Sequence, residues 1–343
     1  MAENRLIIAT SLILGSVLID LLIGDPRFLP HPVEAMGFLV KYLQQKLELF
    51  IYKSKTNFRV GGFLITLFVV TFSGLSGWLL EQYFLMKSSF IPIYVIYIVL
   101  VFALASCLAT KSLFQSVTEI NEALNGDIEK QNIELARTKL THIVGRDVNH
   151  LGEKDILRAT AESASENAVD GIFAPLFWIM IGAVFWQFSP TLPGPLAMGW
   201  VFKASSTIDS MIGYKRGNLI WIGEFGARLD DILTFIPCRL VVLTLPLASK
   251  QWFKAPALIK SAWEEGSKDI SPNSGLSEAI FAHCVQIRMG GINKYGQGLV
   301  TKPILAANAP SASINKIQKI LRLTIRLEII WVLIFILLIY LFS

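Results

Sequence analysis

The sequence predicts an all-α, polytopic helical membrane protein, with helical and loop segments lying at the membrane surface on the cytoplasmic side. Three observations carry this expectation. Charged residues make up only 17% of the 343 residues, and apolar residues 53%, whereas a soluble domain carries about 25% charge. The mean hydropathy is +0.54. The apolar residues gather into runs approaching the ~20 residues that cross a bilayer as a helix.

Taken in order, residues 6–23, 60–80 and 91–110 qualify as spans. The first run resembles a secretory signal, but it ends in Asp20 and Gly24-Asp25-Pro26 with no small-residue cleavage pattern, so it is read as a retained helix. Residues 172–188 are apolar and aromatic, and Pro190, Pro193 and Pro195 break them from a return limb at 196–202. Residues 232–248 are interrupted by Pro237 and Arg239, and the tail at 329–342 is intensely apolar but short. The polar stretches between spans are basic: 111–171 holds seven Lys or Arg and 249–328 holds eleven, against one in the link 81–90. Basic loops stay in the cytoplasm. The chain is therefore read as a single integral membrane domain, 1–343, with an amphipathic cytoplasmic helical segment at 111–171 and a cytoplasmic polar segment at 249–328. To keep 203–231 on that same side, 172–202 is expected to form a hairpin, and 232–248 to be re-entrant or packed in protein. A lipid-facing Arg and a broken backbone are both costly. Residues 290–310, rich in Gly, Asn and Pro, read as a linker.

The same composition excludes several classes. A net charge of +5 spread along the chain offers no basic face for nucleic acid. Cys107, Cys238 and Cys284 are scattered and fit a buried apolar role, not a disulfide framework or a metal site. The chain lacks a Walker-type phosphate loop, a dinucleotide fingerprint, zinc spacing and a serine nucleophile elbow.

Four polar clusters remain as candidates for chemistry. The first, DLLIGDPRFLPHPVEAMG at 20–37, follows the first helix and is stiffened by three prolines. Asp20, Asp25, Arg27 and His31 there suit a phosphate, a metal or an amine, and a solvated helix exit is the competing reading. The second holds Arg146, Asp147 and His150, then Glu162, Glu166 and Asp170 at i, i+4 and i+8. On a helix these carboxylates share one face. Carboxylates at a membrane surface suit Mg²⁺, which takes one or two of them plus phosphate oxygens; an ordinary charged face is the alternative. The third holds Lys203, Thr207, Asp209 and Lys215, followed by Arg228, Asp230 and Asp231, a pattern for an anion or a metal-bound phosphate. The fourth holds Ser271, Asn273 and Glu278, then Arg288 and a Gly-rich turn through Asn293, where backbone N–H groups can approach a ligand.

Together these segments resemble the CobD/CbiB family, adenosylcobinamide-phosphate synthase. The resemblance rests on 20–37, on 145–178 (GRDVNHL…RATAESASENAVDGIFAPLFW), on 203–239 (KASSTIDSMIGYKRG…GARLDDILTFIPCR) and on 271–295 (SPNSG…RMGGINKY). They stand in the family's order and spacing over almost the whole chain. The resemblance implies a multi-pass enzyme of the cell (inner) membrane whose active site faces the cytoplasm. It implies an ATP-dependent amide ligation joining aminopropanol, or its O-phosphate, to the propionate arm of adenosylcobyric acid. The implied partners are those two substrates, membrane lipid and other membrane enzymes of late cobalamin synthesis. Amide formation needs Mg²⁺ on the nucleotide, for which Glu162, Glu166, Asp170 and Asp230 or Asp231 are candidates. It needs cations at developing charge, from Arg146, Lys203, Lys215 or Arg228, and a base for the amine, from His31, His150 or Asp209. Asp25, Asp147, Thr207, Asn273 and Arg288 complete the candidate set.

Three rival readings follow from the same residues. A corrinoid transporter places carboxylates inside the bilayer, whereas these cluster in loops and no inverted repeat is visible. A phosphatidyl-type transferase needs D-G-x-x-A-R, but Pro175 stands where the Arg belongs after Asp170-Gly171. A non-catalytic membrane anchor for a corrinoid-assembly complex is the third.

Overall fold

The computed structural model describes residues 2–24, 31–50, 52, 54–86, 91–125, 132–214, 216–295 and 298–341. It is helical apart from one hairpin. In order the elements are α1 (Ala2–Leu22), α2 (Pro32–Phe50), α3 (Lys55–Leu85), α4 (Ile93–Ala105), α5 (Thr110–Leu124), α6 (Ile133–Leu140), α7 (Glu153–Ala168), α8 (Ala174–Phe188), α9 (Pro195–Ile212), α10 (Leu219–Ile222), α11 (Glu224–Ala248), α12 (Ala255–Gly266), α13 (Ser274–Val285), β1 (Met289–Tyr295), β2 (Gly298–Leu305) and α14 (Ile314–Leu341). Five helical stretches, Arg5–Leu22, Lys55–Leu85, Glu153–Phe188, Glu224–Ala248 and Ile314–Leu341, are long and apolar enough to cross a membrane. This is the architecture of a multi-pass membrane protein.

Packing divides the chain into two units. One comprises 1–109, 174–234 and 332–343; the other comprises 110–173 and 235–331. The polar segments at 111–171 and 249–328 thus fall in the same unit.

In the first unit, α9 packs against α2, α3 and α8. Close approach comes from small residues, as between helices in lipid. A Cβ on Gly77 of α3 would meet the Ala197 backbone at 3.0 Å, and one on Gly62 would meet the Ile222 carbonyl at 2.0 Å. The opposite face of α3 leaves Phe63, Leu64, Leu67, Phe68 and Phe72 exposed, the pattern of a lipid-facing stripe. α8 and α9 form the hairpin expected at 172–202. Glu81 of α3 closes it by accepting from the N–H groups of Gly194 (2.9 Å), Leu196 (2.6 Å) and Ala197 (3.4 Å). This carboxylate from another helix caps the N-terminus of α9, where Pro195 lacks an N–H of its own.

In the second unit, α7 packs on α5, α6 and α13, and α12 packs on α13 and β2. Ala, Ser and Thr line the buried face of α7, and glycine joins α12 to α13. A Cβ on Gly275 would stand 2.3 Å from the Gly266 carbonyl.

Three expectations are corrected. Residues 290–310 are not a linker: β1 and β2 pair antiparallel there, with a bulge between Met289 and Gly291. Residues 232–248 are not re-entrant but belong to the 25-residue helix α11, which runs through Pro237. The carbonyl that Pro237 frees, on Leu233, accepts the Trp178 indole N–H at 3.0 Å, so the break in the ladder costs little. Arg239 is packed in protein, as expected, donating to Asn273 Oδ1 at 2.6 Å and to the Pro272 carbonyl at 2.8 Å. The short apolar tail is the end of the 28-residue α14. All three cysteines are buried, and none forms a disulfide among the described residues.

Candidate active-site pocket

The second unit holds a small polar pocket built from α7, α13, the loop before α7 and the β-hairpin. Ile143, Arg146, Glu162, Glu166, Glu278 and Lys302 are among its lining residues. At about 80 Å³ it admits a phosphate or an amine but not a macrocycle.

Glu162 is its centre. It is 3% exposed, and both of its oxygens are engaged. Its Oε2 accepts from Arg146 Nη2 at 2.7 Å. Its Oε1 accepts from Arg158 Nη1 at 3.2 Å and from the Gly290 N–H at 2.8 Å. The hairpin bulge makes the last bond possible. Gly290 has φ +83, and a Cβ there would lie 1.9 Å from the Pro303 carbonyl, so only glycine brings its N–H to the carboxylate. Asn293, two residues past the bulge, accepts from Arg146 and, at 3.1 Å, from Arg158. Two guanidinium groups are thus held between one carboxylate and one amide. Buried charges persist only when paired in this way.

Across the pocket, Lys302 of β2 donates to Glu278 Oε1 at 2.5 Å, and Asp269 stands 3.9 Å from the same ammonium. Burial pushes the Glu278 carboxyl up, to about 8, and Glu166 and Glu162 push the same way against Lys302. Burial alone would depress Lys302, but Glu278, Glu166 and Asp269 overcome it and raise its pKa above the ordinary lysine value. Two buried polar atoms of the pocket's lining, Glu278 Oε2 and Asn293 Nδ2, have no hydrogen-bond partner among the described residues. Glu166, one turn after Glu162 and half-buried, makes no hydrogen bond or ion pair among them. A carboxyl with a pKa near neutrality, a fixed ammonium and an uncommitted carboxylate are the groups that proton transfer and anion binding require.

Of the residues singled out from the sequence, Arg146, Glu162, Glu166 and Glu278 meet in this pocket. Asp170 does not line it. The helix widens to a π-turn at Val169–Phe173, which includes Asp170. Glu162 has both oxygens engaged, by two arginines and an N–H. Asp147 sits outside the pocket, accepting from the Asn149 N–H at 3.0 Å with Lys294 at 3.5 Å; that N–H holds its carboxyl below the usual range. Asn273 is engaged by Arg239, and Arg288 is exposed on the hairpin's approach. Arg158, Glu278, Asn293 and Lys302 carry more of the site than the sequence reading gave them. Lys302-Pro303 in a stretch read as linker had no visible signal.

A second cluster lies in the first unit. Lys203, Asp209 and Asp231 act electrostatically on Asp230, whose Oδ1 is buried without a hydrogen-bond partner among the described residues. Thr207 spends its hydroxyl on the Lys203 carbonyl at 2.7 Å. Arg228 is drawn to Glu224 at 2.6 Å instead. His31 precedes α2, where its carbonyl accepts the Glu34 and Ala35 N–H groups. Asp25 and Lys215 lie outside the described residues. No group of three or more His, Cys, Asp or Glu side chains is arranged to hold a metal ion among the described residues. Mg²⁺ shared with substrate phosphates needs fewer, and the uncommitted Glu166 and the unsatisfied Asp230 oxygen both fit that lesser demand.

The family described as CobD/Cbib protein matches residues 13–324. A cobalamin biosynthesis protein CobD from Synechocystis is 39% identical over 91% of this chain and 86% of its own. Proteins of the same name from Pelobacter propionicus and Clostridium acetobutylicum are 36% and 34% identical, over 84% and 95% of this chain and 83% and 97% of theirs. No solved structure matches. The chain belongs to the CobD/CbiB family of cobalamin biosynthesis proteins.

Proposed function

We propose that this protein is an ATP-dependent amide ligase of late cobalamin assembly. It joins aminopropanol phosphate, or aminopropanol, to the propionate carboxylate of adenosylcobyric acid. The observation that carries the reading is the pocket's pairing of a carboxyl poised near neutrality, Glu278, with a fixed ammonium, Lys302, and an uncommitted carboxylate, Glu166. ATP with Mg²⁺ supplies the activation, by placing a phosphoryl group on a carboxylate that otherwise has no leaving group.

The chain's own groups then do three things. Glu278 takes the proton that the amine nitrogen releases as the C–N bond forms and phosphate departs. Lys302 and Arg146 hold anionic oxygens, of the substrate phosphate or of the acyl group, in a site too small for bulk water to compete. Glu166 is the residue that would hold Mg²⁺, which would supply charge shielding at the phosphates. Arg158 and Glu162 fix Arg146 and Asn293 in place, and the Asn293 amide is left to meet substrate. The Asp230 cluster with Lys203 is the second place where a magnesium–phosphate group is accommodated. The pocket faces the cytoplasm of the cell membrane in this proposal, where ATP is supplied.

The test is reconstitution. Purified protein in detergent with lipid is incubated with adenosylcobyric acid, ATP, Mg²⁺ and either amine, and the product is weighed by mass spectrometry. Formation of adenosylcobinamide phosphate, or adenosylcobinamide, with matching nucleotide hydrolysis is expected. Folded protein that forms neither product removes the ligase reading. Uptake of labelled corrinoid into vesicles without synthesis replaces it with transport.

A further inference from the structure

A second concavity lies in the first unit, between the starts of α3 and α11. It is an open groove of about 450 Å³, lined by Thr56, Arg59, Val60, Phe63, Phe225 and Arg228 around Glu224. One carboxylate serves two guanidinium groups here. Glu224 Oε2 accepts from Arg59 Nε at 2.7 Å, and Oε1 from Arg228 Nη2 at 2.6 Å. Lys55 adds a third cation over the Trp221 ring at 5.3 Å, and Arg59 covers the same ring at 4.6 Å. Three positive charges against one negative leave an excess of two. Both Nη groups of Arg59, and Nε and Nη1 of Arg228, have no hydrogen-bond partner among the described residues. The side chains are 49% and 72% exposed.

The rest of the groove is apolar. Phe63 and Phe225 meet edge to face at 5.2 Å, and Val60, Phe63 and Phe225 are all exposed. Both walls belong to helices long and apolar enough to cross a membrane, and each arginine stands near its helix's first turn. The groove therefore offers paired guanidinium donors at the end of two spans and an oily trough running into them. A free anion uses only the first half of this surface. An amphiphile with an anionic head uses both.

We propose that the groove binds one anionic phospholipid, its phosphate between Arg59 and Arg228 and an acyl chain along Val60, Phe63 and Phe225. The site is independent of the ligation reaction. Guanidinium groups match phosphate oxygens two at a time, which separates a seated lipid from general attraction to an anionic surface.

Native mass spectrometry of the full chain in detergent, titrated with phosphatidylglycerol or phosphatidylcholine, tests it. Wild-type protein is expected to retain one phosphatidylglycerol at concentrations where phosphatidylcholine is lost. Arg59→Gln with Arg228→Gln is expected to weaken retention about tenfold, while Lys254→Gln, at another exposed cation, leaves it unchanged. Thr56→Glu, an exposed rim position that breaks no contact, is expected to weaken retention too, and gives the reading if the arginine pair fails to fold. Equal retention of the two lipids overturns the proposal. So does unchanged retention in the groove variants, or displacement of the lipid by excess inorganic phosphate or ATP.

Discussion

Glu81 and Glu162 are both almost fully buried, 1% and 3% exposed, yet their surroundings differ in kind. Glu81 meets three backbone N–H groups at the start of α9 and no cation among the described residues. Glu162 meets two arginines and one N–H, beside a pocket that also holds Glu166, Glu278 and Lys302. The first arrangement ends in itself: the carboxylate answers the helix end and leaves nothing over. The second leaves atoms over, the Oε2 of Glu278 and the amide of Asn293. Burial of a charge therefore does not mark a site. A buried charge network with unmet capacity facing open space does.

Four substitutions break or sharpen this contrast. Glu166→Gln removes the uncommitted carboxylate and is expected to lower ligation by at least ~10²-fold with insertion and folding intact. Near-normal turnover would take the acidic pair out of the mechanism. Glu278→Gln is expected to cost about 10²-fold at neutral pH. The wild-type rate should rise with pH around 8, where this carboxyl ionises, and in the variant that limb should move up toward the amine's own pKa. An unmoved limb assigns the proton to another group. Stability carries the opposite sign. The folded state favours protonated Glu278, so its contribution is complete below 4.5 and is lost as pH rises through about 8.

Glu81→Ala tests the other side of the comparison. It strands buried N–H groups at the start of α9 and is expected to cost about 2 kcal/mol, read by unfolding in detergent. Turnover per folded molecule should not change; a selective loss of turnover would give Glu81 a role beyond capping. The smallest effect is expected for Asp147→Ala. Its side chain serves a surface turn and Lys294, so activity should stay within about twofold. A larger loss would extend the site beyond the pocket.

The spans were legible because their signal is local. Apolar run length and interrupting prolines located α1, α3, α4 and the α8–α9 hairpin. The acidic pair Glu162 and Glu166 was legible for the same reason, since four-residue spacing places them one turn apart whatever packs beside them. The π-turn at Val169–Phe173, which includes Asp170, leaves no mark in the sequence. The hairpin was missed because Gly290, Gly291 and Pro303 read as loop formers. In the fold, the positive φ of the two glycines is what turns an N–H toward Glu162.

By itself the sequence determined that this chain crosses a membrane several times and to which family it belongs. Those properties depend on composition and on spacing along one helix. Only the tertiary structure decided which charges are partners. Arg146 and Asn293, or Glu278 and Lys302, are far apart in the chain, and their pairing depends on how α7, α13 and the hairpin pack. A buried ion finds its counter-ion through space, and no periodicity in the chain encodes that meeting.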